Sequence, residues 1–279
     1  MARDSAKGLP SALLPVTPGA PVRLRDADAR VSGDKADKQD LLHEVQQLTS
    51  RIDELQSALF AEGQRALLVV LQGRDTAGKD GVIRNVFGPL NPQGVLLSGF
   101  KVPSALELSH DFLWRVHQAV PPKGAIGVFN RSHYEDVLVV RVHQLVPESV
   151  WRPRYEQINA FERILTENGV TVLKFFLHIS RDEQRERLLA RLDDPAKYWK
   201  FAAGDLAERD RWDDYTRAYE EALARTSTEW APWYIVPADR KPRRDVLVAG
   251  VVASALERLD PRYPGPPEGL EAFRRALAG

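Results

Sequence analysis

Residues 68–86 read LVVLQGRDTAGKDGVIRNV, and this stretch decides the fold. Ala66–Leu71 is an apolar run with the length of a buried strand, Gly73–Gly78 is a turn bounded by glycines, and Lys79 opens a helix. The spacing Gly73-x-x-x-x-Gly78-Lys79 is that of a phosphate-cradling loop. Glycines let successive backbone N–H groups converge, and the following helix N-terminus adds positive potential. In this reading Gly73, Arg74, Thr76, Ala77, Gly78, Lys79 and Asp80 surround a phosphate, with Lys79 as the point charge. The Ser or Thr that usually follows the lysine and ligates Mg²⁺ is absent, and Asp80 stands there instead. Metal binding then falls to another carboxylate, and Asp75, inside the loop, is the candidate. A plain structural turn competes with this reading, and the strand–turn–helix context disfavours it.

Outward from the loop, strands alternate with helices. Further strands are expected over Gly94–Phe100, Gly124–Phe129, Val170–Ile179 and Pro232–Pro237. Helices are expected over 37–61, from Lys79 to about Phe87, and over Ser104–Val120, where Ser104 and Glu107 make a capping box. Others follow over Ser132–Leu145, Glu148–Asn168, from Ser180 to about Arg191, from about Asp205 to Thr226, and over Arg244–Leu259. The pattern predicts an α/β, three-layer α/β/α parallel sheet of the P-loop kinase class. Residues 1–36 read as an extended N-terminal arm, 37–262 as one domain with a lid at about 193–212, and 263–279 as a Pro- and Gly-rich tail. The apolar stripe of the 37–61 helix is a packing face, and it also makes a homo-oligomer, dimer or tetramer, plausible.

Composition narrows the function. The chain has 279 residues, zero formal net charge and no cysteine. Disulfides, thiolate metal sites and a cysteine nucleophile are excluded, and a cytoplasmic enzyme is the expectation. Neutral charge without a basic–aromatic array argues against nucleic acid, and no apolar run reaches the roughly 20 residues of a membrane span. No histidine pair has metal-ligand spacing.

A second polar cluster follows the third strand: Asn130-Arg131-Ser132-His133-Tyr134-Glu135-Asp136. Ligands in parallel sheets bind at the strands' carboxyl ends. Arg131 opposes the dipole at a helix start, which points to an anion, although an i,i+4 salt bridge to Glu135 also fits. Glu135 and Asp136 fit either an orienting role or simple first-turn acidity. Asn130 and His133 are candidates for a nucleotide, as is Arg141, ten residues beyond Arg131 and so on the same side of a continuous helix. Around the expected lid, Arg187, Arg191, Lys197 and Lys200 could swing over phosphates; a solvated, mixed-charge surface fits equally. After the last strand, Arg240 and Lys241 could reach phosphate or base.

These motifs carry a resemblance. GRDTAGKDG at 73–81, FNRSHYEDVLVVRV at 129–142, INAFERILTENG at 158–169, DDPAKYWKF at 193–201 and VPADRK at 236–241 resemble the polyphosphate kinase type 2 family. Glu135 resembles the class acting on both nucleoside mono- and diphosphates. The resemblance implies a thymidylate-kinase-like fold, Mg²⁺ (with Mn²⁺ as an alternative), and reversible phosphoryl transfer from inorganic polyphosphate to AMP or ADP, or another purine nucleotide. It assigns the chemistry to Asp75, Lys79, Arg131 and Glu135. Asn130 stands where other classes carry Asp, and Pro242 where members often carry an aromatic residue. An ATP-dependent nucleoside monophosphate kinase and a non-catalytic nucleotide-binding protein are the rival expectations.

Overall fold

The computed structural model describes residues 13–278. Five strands, all parallel, lie in the order β2-β3-β1-β4-β5. They are β1 (Ala66–Gln72), β2 (Val95–Gly99), β3 (Ile126–Asn130), β4 (Val170–His178) and β5 (Trp233–Pro237). The central β1 is buried along its whole length, while β2, at the edge, is half exposed. Strand alternation splits the core into two layers. Leu67, Val69 and Leu71 face one layer, Ala66, Leu68 and Val70 the other.

The first layer is built by α1 (Lys38–Glu62), α2 (Lys79–Val82) and α11 (Lys241–Leu259). Asp37 caps α1, and Gly63 ends it in the left-handed conformation. The apolar stripe of α1 packs on α11: Leu41 and Val45 meet Val246. Most of the stripe is thus buried within the chain, while Leu42 stays exposed. The helix after the phosphate loop widens into a π-helical segment, Ile83–Phe87. Pro242 sits in the first turn of α11, where a missing N–H costs nothing, and this helix starts three residues before the position its periodicity suggests.

The second layer is built by α4 (Trp114–Gln118), α5 (Val139–Val142), α6 (Glu148–Trp151), α7 (Arg154–Glu167) and most of α10 (Trp212–Thr226), whereas α3 (Ala105–Leu108), α8 (Arg181–Leu192) and α9 (Gly204–Asp210) add no residue to either core layer. Here three expected helices are broken. The capping box at Ser104 forms, but the Asp111 carboxylate accepts from the Leu113 N–H and starts a new turn, so 104–120 is two helices. Pro153 lacks an N–H and divides 148–168. The segment 132–145 is a 3₁₀ turn, His133–Asp136, followed by the short α5, because Leu138 leaves helical geometry. Asn130 is the last residue of β3 rather than beyond it. The expected lid loop contains a 3₁₀ turn, Pro195–Lys200, and then α9. The tail carries α12 (Leu270–Leu277), exposed along its length.

The described part of the arm lies along the outer edge of β5: the Val16 N–H donates to the Trp233 carbonyl at 2.8 Å, and Arg30 pairs with Asp239 at 2.9 Å. Among the described residues no helix is long and apolar enough to cross a membrane.

Candidate active site

Register brings the two polar motifs together. Leu71 of β1 lies opposite Asn130 of β3, so the loop at 73–78 and the turn at 131–136 leave the sheet side by side. Gly73 tolerates no side chain, since a Cβ would stand 2.8 Å from the Leu177 carbonyl. Gly78 has φ +101°, and its Cβ would fall 1.8 Å from the guanidinium of Arg244.

Lys79 is buried at the start of α2. Its ammonium donates to the carbonyls of Gly73 at 2.8 Å and Arg74 at 3.3 Å. Burial lowers its pKa to about 8, with Arg131 pushing the same way and Asp75, Glu135 and Asp80 opposing. Burial among neutral carbonyls leaves this cation without a close counter-charge, and an anion would restore its full charge. Asp80 accepts from the Asn130 amide at 2.8 Å, tying loop to turn.

Arg131 has φ +63° and pairs with Glu135 at 3.2 Å. Both line a cavity of about 480 Å³ that begins at Gly73–Asp75. Its walls are apolar and aromatic: Phe100, Val102 and Pro103 on one side, Val139 and Val140 on another, and Trp212, Tyr215 and Tyr219 opposite. Burial raises the Tyr215 and Tyr219 phenols, which stay neutral. Asp136 reaches the cavity but is paired with Arg154 at 3.0 Å; burial raises its pKa and Arg154 opposes that.

Several expected phosphate ligands are engaged elsewhere. Arg187 donates to the carbonyls of Thr76 at 2.9 Å, Ala238 at 2.7 Å and Asp239 at 2.8 Å, bracing the loop. Arg74 lies 4.0 Å over the Trp212 ring, and burial lowers its pKa to about 10. Arg191 pairs with Asp75 at 2.8 Å and also donates to the Lys200 carbonyl at 2.9 Å, so the metal candidate and the lid share one guanidinium. Lys197 pairs with Asp194 at 2.6 Å, and Lys200 lies over Trp199.

Five nucleotide candidates lie outside the cavity lining: Asn130, held by Asp80, and His133, Arg141, Arg240 and Lys241. His133 is fully buried against Glu162. Arg141 turns to Glu221 at 2.6 Å because the break at Leu138 removes the continuous helix its placement assumed. Arg240 pairs with Asp34 of the arm at 2.9 Å. Its neighbour Lys241 has its pKa lowered by burial, with Arg187 adding to the effect. Sequence reasoning missed Arg244, whose near-complete burial behind Gly78 is a tertiary fact, and the cavity wall at 100–103. Two glycines, Gly78 and Gly81, both meet Arg244, and their i,i+3 spacing is the one trace of it in the sequence.

The donor set fits an oxygen-ligated divalent cation that arrives with phosphate. Asp75 offers one partly exposed carboxylate, and among the described residues no group of three acidic or histidine side chains forms a cage. Mg²⁺ commonly uses one or two carboxylates plus substrate oxygens.

Comparison with known proteins follows the same line. The sequence model described as Polyphosphate kinase 2 (PPK2) matches residues 35–264. An AMP/ADP-polyphosphate phosphotransferase of Meiothermus ruber is 54% identical over 84% of this chain and 88% of its own. An ADP-polyphosphate phosphotransferase of Rhodopseudomonas palustris is 49% identical over 81% and 82%. The crystal structure of Polyphosphate Kinase 2 from Arthrobacter aurescens superposes with a TM-score of 0.87 at 43% identity, covering 96% of this chain and 99% of that one. With the loop, the second motif and the parallel sheet in place, the chain belongs to the polyphosphate kinase 2 family.

Proposed function

We propose that this chain moves the terminal phosphoryl group of inorganic polyphosphate to AMP and to ADP, reversibly. The observation that carries the reading is the Arg131–Glu135 pair lining one cavity with Gly73 and Arg74, whose carbonyls hold the buried Lys79 ammonium just behind its wall. Its volume is within the range of small-molecule sites. Apolar and aromatic walls suit a nucleoside, and the charged neck suits its phosphates. The names of the Meiothermus and Rhodopseudomonas relatives support the same substrates.

The chemistry needs little covalent help. A phosphate monoester's second pKa is about 6, so the acceptor oxygen is largely ionised near neutrality and a general base is unnecessary. The obstacle is repulsion between two polyanions, which positioning and charge neutralisation overcome. Lys79 exchanges its carbonyl partners for a phosphate oxygen and regains full charge. Arg131 neutralises the transferring group, while Glu135 holds the Arg131 guanidinium and orients the acceptor. Arg187 and Arg244 keep the loop carbonyls turned back, leaving the loop's N–H groups for phosphate. Asp75 would hold Mg²⁺, or Mn²⁺ with the same oxygen ligands, once Arg191 leaves it, and such an ion would supply further neutralisation of phosphate charge. Freed from Asp75, Arg191 becomes available to the polyphosphate chain together with Lys197 and Lys200.

Incubating AMP and ADP separately with polyphosphate and Mg²⁺, without ATP, tests this. Formation of ADP from AMP and ATP from ADP is expected. No product from either acceptor would overturn the reading in favour of an ATP-dependent kinase or a binding protein.

A further inference from the structure

Beneath the second motif lies a polar cluster that this mechanism does not use. His133, Tyr134, Glu162 and Lys174 are each fully buried, at 0% exposure. The Lys174 ammonium donates to Glu162 Oε2 at 2.5 Å, to the Tyr134 hydroxyl at 2.9 Å and to the Thr226 carbonyl at 2.6 Å. Tyr134 in turn donates to Glu162 Oε1 at 2.8 Å, and His133 Nε2 lies 3.2 Å from the same oxygen. His133 Nδ1 is buried without a partner, and the Nε2–H is assigned as donating to Glu162. Burial alone would raise the Glu162 carboxyl, but Lys174 and the His133 hydrogen bond outweigh it and hold Glu162 ionised.

Stability does not account for this cluster. A buried ion pair is commonly no better than apolar residues of the same volume. The cluster's place in the fold suggests another purpose. Glu162 on α7 pins two consecutive side chains of the 3₁₀ turn inward, His133 and Tyr134, while Arg131, two residues before them, and Glu135, immediately after, line the cavity. Arg131 sits at φ +63°, a strained conformation for a non-glycine residue that persists only where surroundings over-determine it. The Arg131 N–H to Leu71 carbonyl bond at 3.0 Å fixes one end of the turn, and the Glu162 carboxylate fixes its middle.

We propose that Tyr134, Glu162 and Lys174 form a positioning unit for phosphoryl transfer, acting through the turn to set Arg131 and Glu135. The inference rests on the catalytic reading of Arg131 given above. None of the three touches substrate; their effect is expected in kcat rather than in KM.

Two variants test it. Tyr134→Phe keeps the ring packed edge-on against Trp233 and removes the hydroxyl. The pair Glu162→Met with Lys174→Met removes both charges together and leaves neither uncompensated. With the folded fraction taken from circular dichroism, each is expected to lower kcat per folded molecule about tenfold, the scale of a misplaced catalytic group, with KM for AMP changed less than twofold. A merely structural cluster would lower the melting temperature and leave kcat per folded molecule as in wild type, and that result overturns the proposal. A cycle with Arg131→Ala separates the two claims. In that background Tyr134→Phe should cost less than twofold further. A second full tenfold loss would remove the positioning unit alone, while wild-type turnover by Arg131→Ala would remove the site reading and the unit with it.

Discussion

The loop after β1 and the turn after β3 are neighbours in space and face the same cavity, yet they reach their shapes by different means. The loop is shaped chiefly by its own glycines and lysine, with Arg187 and Arg244 as outside braces. Gly73 and Gly78 take conformations or approaches closed to other residues, and Lys79 bonds to carbonyls five and six residues behind it. The turn is shaped from outside: Asp80 holds Asn130, Glu162 holds Tyr134, and Arg154 holds Asp136. A locally determined anion site thus sits beside a remotely determined one. The loop's substitutions should act on ligand charge directly, and the turn's should act through geometry.

The largest test of that contrast is Lys79→Ala. Removing a preorganised electrostatic partner is expected to cost on the order of 10²–10³ in kcat, and the loop should keep its shape because Arg187 and Arg244 still brace it. Steady-state kinetics beside a thermal melt read both; turnover like wild type would take Lys79 out of the mechanism. Asp75→Asn should come next, about 10² at fixed Mg²⁺. Because the same change weakens the pair with Arg191, residues 195–200 should also be cleaved faster in limited proteolysis. Unchanged proteolysis would show that Arg191 does not tie the lid to the loop.

A smaller effect sharpens the comparison. Asp80→Ala removes the carboxylate that receives the Asn130 amide, the link between loop and turn. If the turn depends on such remote ties, kcat should fall about tenfold with little change in stability. If Asp80 serves only as favourable charge at a helix start, the change is a few tenths of a kcal/mol in stability and none in kcat.

The same contrast explains what the sequence made legible. GRDTAGKDG could be read because glycine spacing is itself the cause of the loop's geometry, and the buried strands announce themselves as apolar runs. The break in 132–145 could not be read, since Glu162 and Arg154, which hold the turn's side chains, are remote in sequence. Arg141 shows the consequence: one broken helix moved it from the cavity to Glu221. Arg187 and Arg240 show another limit. Their charge suggested anions, but backbone carbonyls and the arm's Asp34 took them first. Pro153, by contrast, announced a break that the apolar periodicity on either side obscured.

The subtlest expected effect is in protons. Without phosphate, the Lys79 ammonium titrates near 8 against an ordinary 10.5, because it is buried among neutral carbonyls. Between those values the unfolded chain binds a proton that the folded chain does not, so this group makes the protein more stable as pH rises from about 8 to 10.5, by about 3 kcal/mol in all. A bound phosphate supplies the missing negative charge and restores the proton. Binding of long-chain polyphosphate at pH 8.5, whose internal phosphates have no titratable proton in this range, should therefore take up a fraction of a proton. Calorimetry in two buffers of different ionisation enthalpy measures it directly, and Lys79→Met should abolish it. The turn's Arg131 titrates far above this range and predicts no such uptake. A buffer-independent heat would therefore mean that phosphate is held by the turn, not the loop.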